Sequence, residues 1–313
     1  MNYGVSMHGE SGKANNITDV AYESDTDIIS YCDTNNKVMI AFIATYAPAR
    51  ISPIERARMS IGLSEEFGFE QMIDEIEKKN NSKPEAVLLI NSPGGLVESS
   101  YKIAKILSQT FSKITVCVPH IAASGGTLIA LTGTEIVLGP MSQLSPIDIQ
   151  TGYGDFSMSV NHPINALGRL NDYFKDKSAE ESPYPMKALA DRLDPFVIES
   201  CSGLRTTMYH YALNILKQNS NYKNKSNIQD IVQKLLNYPC HDYVIDSTEA
   251  INLGLPVIQS KDNGDLWKLS KKWLAKYMLE TRDKHIIRYC LPNNNQTTEK
   301  VGGDVGGGKN AES

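Results

Sequence analysis

The sequence predicts an α/β fold built on parallel strands, and three observations carry that prediction. Apolar runs of strand length alternate with amphipathic stretches of helical length between Val38 and Leu138. Two glycine-marked turns, Asn91-Ser92-Pro93-Gly94-Gly95 and Ala122-Ala123-Ser124-Gly125-Gly126, each follow such a run and open a helical stretch. The chain is 313 residues long with 41% hydrophobic and 21% charged residues, enough apolar mass for a sizeable core in one large domain or two.

The elements follow in order. Residues 1–34 are polar and rich in Asn, Ser and Asp, and read as a loosely ordered arm. Val38 to Tyr46 is a continuous apolar run, hence a strand, and Leu63 to Lys79 carries Phe67, Met72, Ile73 and Ile76 at helical spacing. Glu85 to Asn91 is a second buried strand, Val97 to Phe111 a helix, Ile114 to Val118 a third strand, Ser124 to Thr132 a short helix and Glu135 to Leu138 a fourth strand. That rhythm requires parallel strands joined by crossovers.

From about Asn161 to Tyr238 the pattern is helical throughout, with a long stretch from Lys187 to Gln218 that Pro195 should kink or break. Asp242 to Ile245 reads as a strand, Ser247 to Leu253 as a helix stopped by Gly254, and Pro256 to Ile258 as a strand. The amphipathic helix Leu266 to Leu279 is expected to close the ordered domain, 35–290, leaving 291–313 as an Asn/Gly-rich flexible tail.

The bulk numbers also exclude functions. A net charge of −5 and no dense Lys/Arg block argue against a nucleic-acid partner, which normally needs a basic face. The five cysteines form no C-x-x-C or Cys/His cluster, so neither a metal site nor a disulfide framework is expected, and they read as reduced cysteines of a cytosolic protein. The amino terminus has neither the cationic start nor the apolar core of a secretory signal. No stretch reaches the roughly 18 apolar residues of a membrane span. A cytoplasmic location is expected.

The chemistry sits in the two glycine turns. Ligands gather at the carboxyl ends of parallel strands, where helix amino termini present free N–H groups. A serine at such a helix start, with glycines that allow close backbone approach, is placed for nucleophilic attack, and the amides of Gly95 and Gly125 could hold an oxyanion. Taken alone, the pattern fits equally a Ser124 that merely caps a helix and a Gly94-Gly95 that merely turns the chain.

The run INSPGG, Ile90 to Gly95, followed 29 residues after Gly95 by the serine of AASGG, resembles the proteolytic subunit of Clp protease. LSPIDIQ, Leu144 to Gln150, and HDYVIDSTEAINLGLPV, His241 to Val257, are similar to the serine dehydrogenase proteinase branch of that superfamily. The resemblance covers roughly Val38 to Ile258 and implies a Clp/crotonase-like superhelical core with parallel strands and an enlarged helical insertion at about 161–238. It implies a serine peptidase acting on protein or peptide substrates, without cofactor. Ser124 takes the nucleophile's place in it, and the Gly95 and Gly125 amides, with Gly94 in the same turn, the oxyanion hole.

The base departs from the Clp pattern, which puts a histidine where this chain has Pro146, Ile147 and Asp148. The Clp aspartate, counted back from Glu249-Ala250, falls on Asp242, with His241 before it. One reading exchanges the roles, with His241 as general base and Asp148 as its orienter. Neighbours in an extended segment face opposite ways, so His241 and Asp242 cannot both face Ser124 without a turn, and Asp242 stands second as orienter. The rival is a Ser-Lys dyad, for which Lys187 is a better candidate than Lys175 or Lys177 in their charged run. His120, just ahead of the nucleophile turn, is a further candidate for lining the site.

Apolar faces on the long helices point to a homo-oligomer. Two other functions remain open on sequence alone: a catalytically silent scaffold of the same fold, suggested by the missing Clp-type histidine, and a crotonase-type enzyme acting on acyl-CoA.

Overall fold

The computed structural model of the chain describes residues 18–44, 60–153, 156–177, 181, 183–222, 226–278 and 284–293. Its elements are β1 (Thr18–Tyr22), α1 (Thr26–Asn35), β2 (Val38–Ile43), α2 (Leu63–Lys79), β3 (Glu85–Asn91), α3 (Val97–Thr110), β4 (Lys113–Val118), β5 (Ile121–Ala122), α4 (Gly125–Ala130) and β6 (Glu135–Leu138). There follow β7 (Gln143–Leu144), β8 (Gln150–Tyr153), β9 (Phe156–Ser159), α5 (Asn161–Phe174), α6 (Tyr184–Ala190), α7 (Pro195–Gln218), α8 (Ile228–Leu236) and α9 (Ser247–Asn252). The last are β10 (Val257–Gln259), α10 (Gly264–Met278) and β11 (His285–Cys290).

Seven strands form one sheet in the order β1-β11-β2-β3-β4-β6-β10. Neighbours are parallel throughout except that β11 runs antiparallel to β2. The parallel α/β core expected from the strand and helix rhythm is therefore the observed one. All six residues of β2 are buried, as a strand covered on both faces must be, which is why VMIAFI alternates so little.

Two apolar layers cover the sheet. On one face Phe69, Met72 and Ile76 of α2 and Ile103 and Leu107 of α3 pack against Ile40, Phe42, Leu88 and Ile90, and α7 and α8 extend that layer. On the other, Ile28 and Cys32 of α1 and Trp273, Leu274 and Tyr277 of α10 cover Met39, Ala41, Val87 and Leu89. Phe67, counted at sequence level with the inner face of α2, points outward at 61% exposure, and Phe69 fills the inner place.

The chain ends differ most from expectation. Of the arm expected over 1–34, Thr18–Tyr22 is a strand paired with β11 and Thr26–Asn35 is a helix, while residues 1–17 lie outside the described residues. The physical reason is charge satisfaction at a distance: buried Glu23 accepts hydrogen bonds from Trp273 Nε1, Lys276 Nζ and the Tyr277 hydroxyl of α10. Nor does α10 close the domain, because β11 inserts between β1 and β2. Its Arg288 is buried and donates to Asp19 on β1 at 2.9 Å. Of the tail expected over 291–313, Asn293 hydrogen-bonds Asp33, and 294–313 lie outside the described residues.

Over residues 161–238 the described chain is mostly helical. The long stretch from Lys187 is interrupted at 191–194, and Pro195 is the first residue of α7 rather than a kink inside it, with Asp194 capping the new helix.

Candidate active site

β3 and β4 are adjacent parallel strands, so the turns that follow them lie side by side. Ser92 and Ala122 form a parallel bridge, with Ser92 N–H donating to Ile121 O at 2.9 Å and Ala123 N–H to Ser92 O at 3.0 Å. Gly94 sits at φ +99°, and a side chain there would come within 2.6 Å of Ala123 O and 2.8 Å of Ser124 Cβ. Gly95 passes so close to Ile61 that a Cβ would lie 2.2 Å from its nitrogen. Gly125 is confined by Ser100, whose Oγ would be 2.1 Å from a Cβ, and Gly95 N is 3.4 Å from that same point. A side chain is excluded at all three positions, at Gly94 by the backbone of the serine turn, at Gly95 by the backbone of Ile61 and at Gly125 by the Ser100 side chain. The amide groups of Gly95 and Gly125 thus lie together beside Ser124, and neither has an acceptor among the described residues.

Ser124 precedes α4 with φ 51° and ψ −116°. Among the described residues it shares a positive φ with one other non-glycine, Asn36. Its side chain makes no capping bond to the helix, which removes the plain N-cap alternative. Such a conformation stores about 1–3 kcal/mol of strain and needs the surroundings to hold it. They do: Ser145 Oγ accepts Ser124 N–H at 2.7 Å, Ser124 O accepts Leu128 N–H at 3.1 Å, and Ser145 N–H donates to Thr127 Oγ1 at 3.0 Å. A strained strand-to-helix turn that frees a serine hydroxyl is the geometry of a nucleophile elbow.

Asp148 lies in the loop before β8, its side chain 4% exposed. Its Oδ1 is 2.9 Å from His241 Nδ1 and its Oδ2 accepts Gln150 Nε2–H at 3.0 Å. A carboxylate only accepts, so Nδ1 carries the proton and Nε2 is the basic nitrogen of the neutral ring. Ser124, His241, Asp148, Gly94 and Gly95 line one cleft of about 620 Å³. Its walls also include Leu96 and Val97 of α3 and Leu204 and Met208 of α7, so the helical segment contributes directly to the site.

Other candidates fall elsewhere. The strand expected over Asp242–Ile245 is a turn at 241–242 followed by a single bridge from Ile245 to Leu144. The turn separates the neighbours: His241 joins the cleft, while Asp242 is exposed and not among its lining residues. Lys187 on α6 is absent from that lining, as are Lys175 and Lys177. His120 is exposed ahead of β5 and does not line the cleft either.

Three participants escaped the sequence reading. Ser145 and Gln150 lay inside the quoted LSPIDIQ run, where only Asp148 was singled out. Ile61, which pairs with Gly94 and Leu96, carries no chemical signal at all.

Fold and cleft together define a class, a parallel α/β core that presents a serine on a strained elbow between glycine turns. Residues 66–166 match the family model described as ClpP-like SDH-type serine proteinase. The matched segment contains both glycine turns, Ser124 and Asp148, and stops short of His241. An uncharacterised protein of Methanocaldococcus jannaschii is 29% identical over 188 residues, 60% of this chain and 58% of that protein. The probable protease SohB of Haemophilus influenzae is 34% identical over 92 residues, 28% of this chain and 26% of that one. The chain thus spans less than two thirds of the length of each of these relatives. Among solved structures, a mutant of the 1510-N membrane-bound stomatin-specific protease aligns over 67% of this chain and 79% of its own, at 16% identity and a TM-score of 0.41. Among the described residues no helix is long and apolar enough to cross a membrane.

Proposed function

We propose that this protein is a serine endopeptidase in which Ser124 is the nucleophile, His241 the general base and Asp148 the residue that orients the imidazole. The observation that carries the proposal is the His241–Asp148 pair in the same cleft as the strained Ser124. Ser124 Oγ bonds to the scissile carbonyl carbon as its proton passes to His241 Nε2. The Gly95 and Gly125 amides hold the oxyanion, an arrangement in which one donor lowers the barrier by about 3–4 kcal/mol. Collapse breaks the C–N bond, and His241 returns the proton to the leaving amine. Water then repeats the sequence on the acyl-enzyme.

The match of residues 66–166 to the serine proteinase family model supports a peptide substrate. We further propose a homo-oligomer with a single peptidase domain, supported by Phe196 and Tyr184 on the helical segment, which stand more than 80% exposed. A cytoplasmic setting is supported by five cysteines without disulfides, four of them buried.

Ser124→Ala should abolish hydrolysis of casein or a generic peptide while leaving the thermal midpoint unchanged. Full turnover by that variant would refute the mechanism. Failure of the parent to react with a fluorophosphonate would favour a catalytically silent scaffold.

A further inference from the structure

Glu65 is a buried carboxylate that the proposed mechanism does not use. It occupies the first turn of α2 and is almost fully enclosed. Oε2 accepts Gly62 N–H at 2.6 Å, the glutamate half of a capping box at the start of the helix. Oε1 accepts the Thr18 hydroxyl from β1 at 2.6 Å and faces His285 Nδ1 from β11, also at 2.6 Å. Burial would raise its pKa, but the hydrogen bond and charge of His285, the Thr18 hydroxyl and the Gly62 amide outweigh it and hold the carboxyl below its ordinary range. The His285 ring makes no other hydrogen bond among the described residues, its Nε2 being buried without a partner.

What Glu65 holds leads directly to the cleft. Gly62 follows Ile61, whose N–H donates to Gly94 O at 2.9 Å and whose carbonyl accepts Leu96 N–H at 2.8 Å. Ile61 thereby clasps Gly95 on both sides, at a contact too close for any side chain on the glycine. A second tie runs from α2 to α3, Ser99 Oγ–H to Glu66 at 2.6 Å, but it lies beyond the glycine turn. The chain that reaches Gly94-Gly95 runs through Gly62 and Glu65.

We propose that Glu65 is a positioning residue for the oxyanion turn, fixing the Gly62-Ile61 backbone against which Gly94-Gly95 is aligned, with Thr18 and His285 anchoring its carboxylate. Reach to the Gly62 amide, not charge, is what the role requires. The inference rests on the reading of Gly94-Gly95 as an oxyanion turn. It explains why the two terminal strands, distant in sequence from every candidate catalytic residue, insert at the edge of the core.

The test compares Glu65→Gln, Glu65→Asp and Glu65→Ala by two readouts. The first is kcat per Ser124 titrated with fluorophosphonate, which normalises for folded protein. Glutamine keeps the reach and loses the charge, whereas aspartate keeps the charge and is one methylene short. Glu65→Gln should retain most of the activity, while Glu65→Asp and Glu65→Ala should lose at least about tenfold in kcat with KM little changed. The second is hydrogen exchange at the Ile61 and Leu96 amides, which should quicken about tenfold in the Asp and Ala variants while the β3–β4 ladder stays protected. If the alanine variant does not fold, the Gln and Asp pair decides. Parental exchange at Ile61 and Leu96 in Glu65→Asp, or a better kcat in Asp than in Gln, would overturn the proposal. A parent that neither hydrolyses peptides nor labels at Ser124 would instead remove the peptidase reading, and the exchange readout would still decide the role of Glu65.

Discussion

The described residues contain two histidine–carboxylate pairs of similar geometry, His241–Asp148 at 2.9 Å and His285–Glu65 at 2.6 Å, each through Nδ1. They differ in what surrounds the imidazole. The His241 side chain is 24% exposed and lines the cleft with Ser124, whereas that of His285 is 1% exposed and its Nε2 faces no polar group among the described residues. A general base must reach a proton and then hand it on, which a ring open to the cleft can do and a sealed one cannot. Under the proposed roles the same pair of residue types serves as the base and its orienter at one place and as a backbone anchor at the other, and access to Nε2 separates them.

Substitution is the strongest way to break this comparison. His241→Ala should lower kcat/KM by about 10³- to 10⁴-fold with little change in thermal midpoint, measured on a fluorogenic peptide. His285→Gln should do the reverse, lowering the midpoint by several degrees while kcat per titrated Ser124 falls only about tenfold. Equal catalytic losses from the two would mean that exposure does not distinguish them. Because members of one relay act as a unit, Ser124→Ala/His241→Ala should be no worse than Ser124→Ala alone.

A smaller effect sharpens the description of the cleft pair. Gln150 donates to the Asp148 oxygen that His241 does not use, so Gln150→Ala should lower kcat a few-fold, about the effect of losing one orienting hydrogen bond. Unchanged kinetics in that variant would leave Asp148 held by His241 alone.

The smallest effect is on pH dependence of stability. Both Glu65 and Glu23 are held below their ordinary value of 4.5 in the folded chain, burial being outweighed by His285 for Glu65 and by Tyr277 and Lys276 for Glu23. The unfolded chain therefore binds more protons near that pH, so this stability is complete above it and is lost as pH falls through the folded values. Denaturant midpoints should fall on acidification below about pH 5, and less steeply in Glu65→Gln. An identical slope in that variant would mean that Glu65 does not contribute to it.

Legibility in the sequence follows the same division between local and distant causes. The core strands β2 and β3 could be read because VMIAFI and EAVLLIN carry their burial in their own composition. The glycine turns could be read because Ser92-Pro93-Gly94-Gly95 and Ser124-Gly125-Gly126 are turn sequences in their own right, although the contacts that exclude side chains there come from Ala123, Ile61 and Ser100. β1 and β11 could not, because TDVAY and HIIRYC contain charges that become core residues only through Asp19–Arg288 and Glu65–His285 pairs spanning more than 200 positions. His241 and Asp148, 93 positions apart, were proposed as partners from the resemblance, and their contact is a product of the tertiary fold. What the sequence concealed about Asp242 was a turn where a strand was expected, which turns one neighbour into the cleft and the other to solvent.

The proposed chemistry depends most directly on the activation of Ser124 by His241. Its test is the rate at which a fluorophosphonate modifies the protein, with the labelled residue located by peptide mass mapping. The label should fall on Ser124, at a rate reduced by at least about a thousandfold in His241→Ala and unaltered in Lys187→Ala. Labelling of Ser124 that is indifferent to His241 and lost with Lys187 would contradict it.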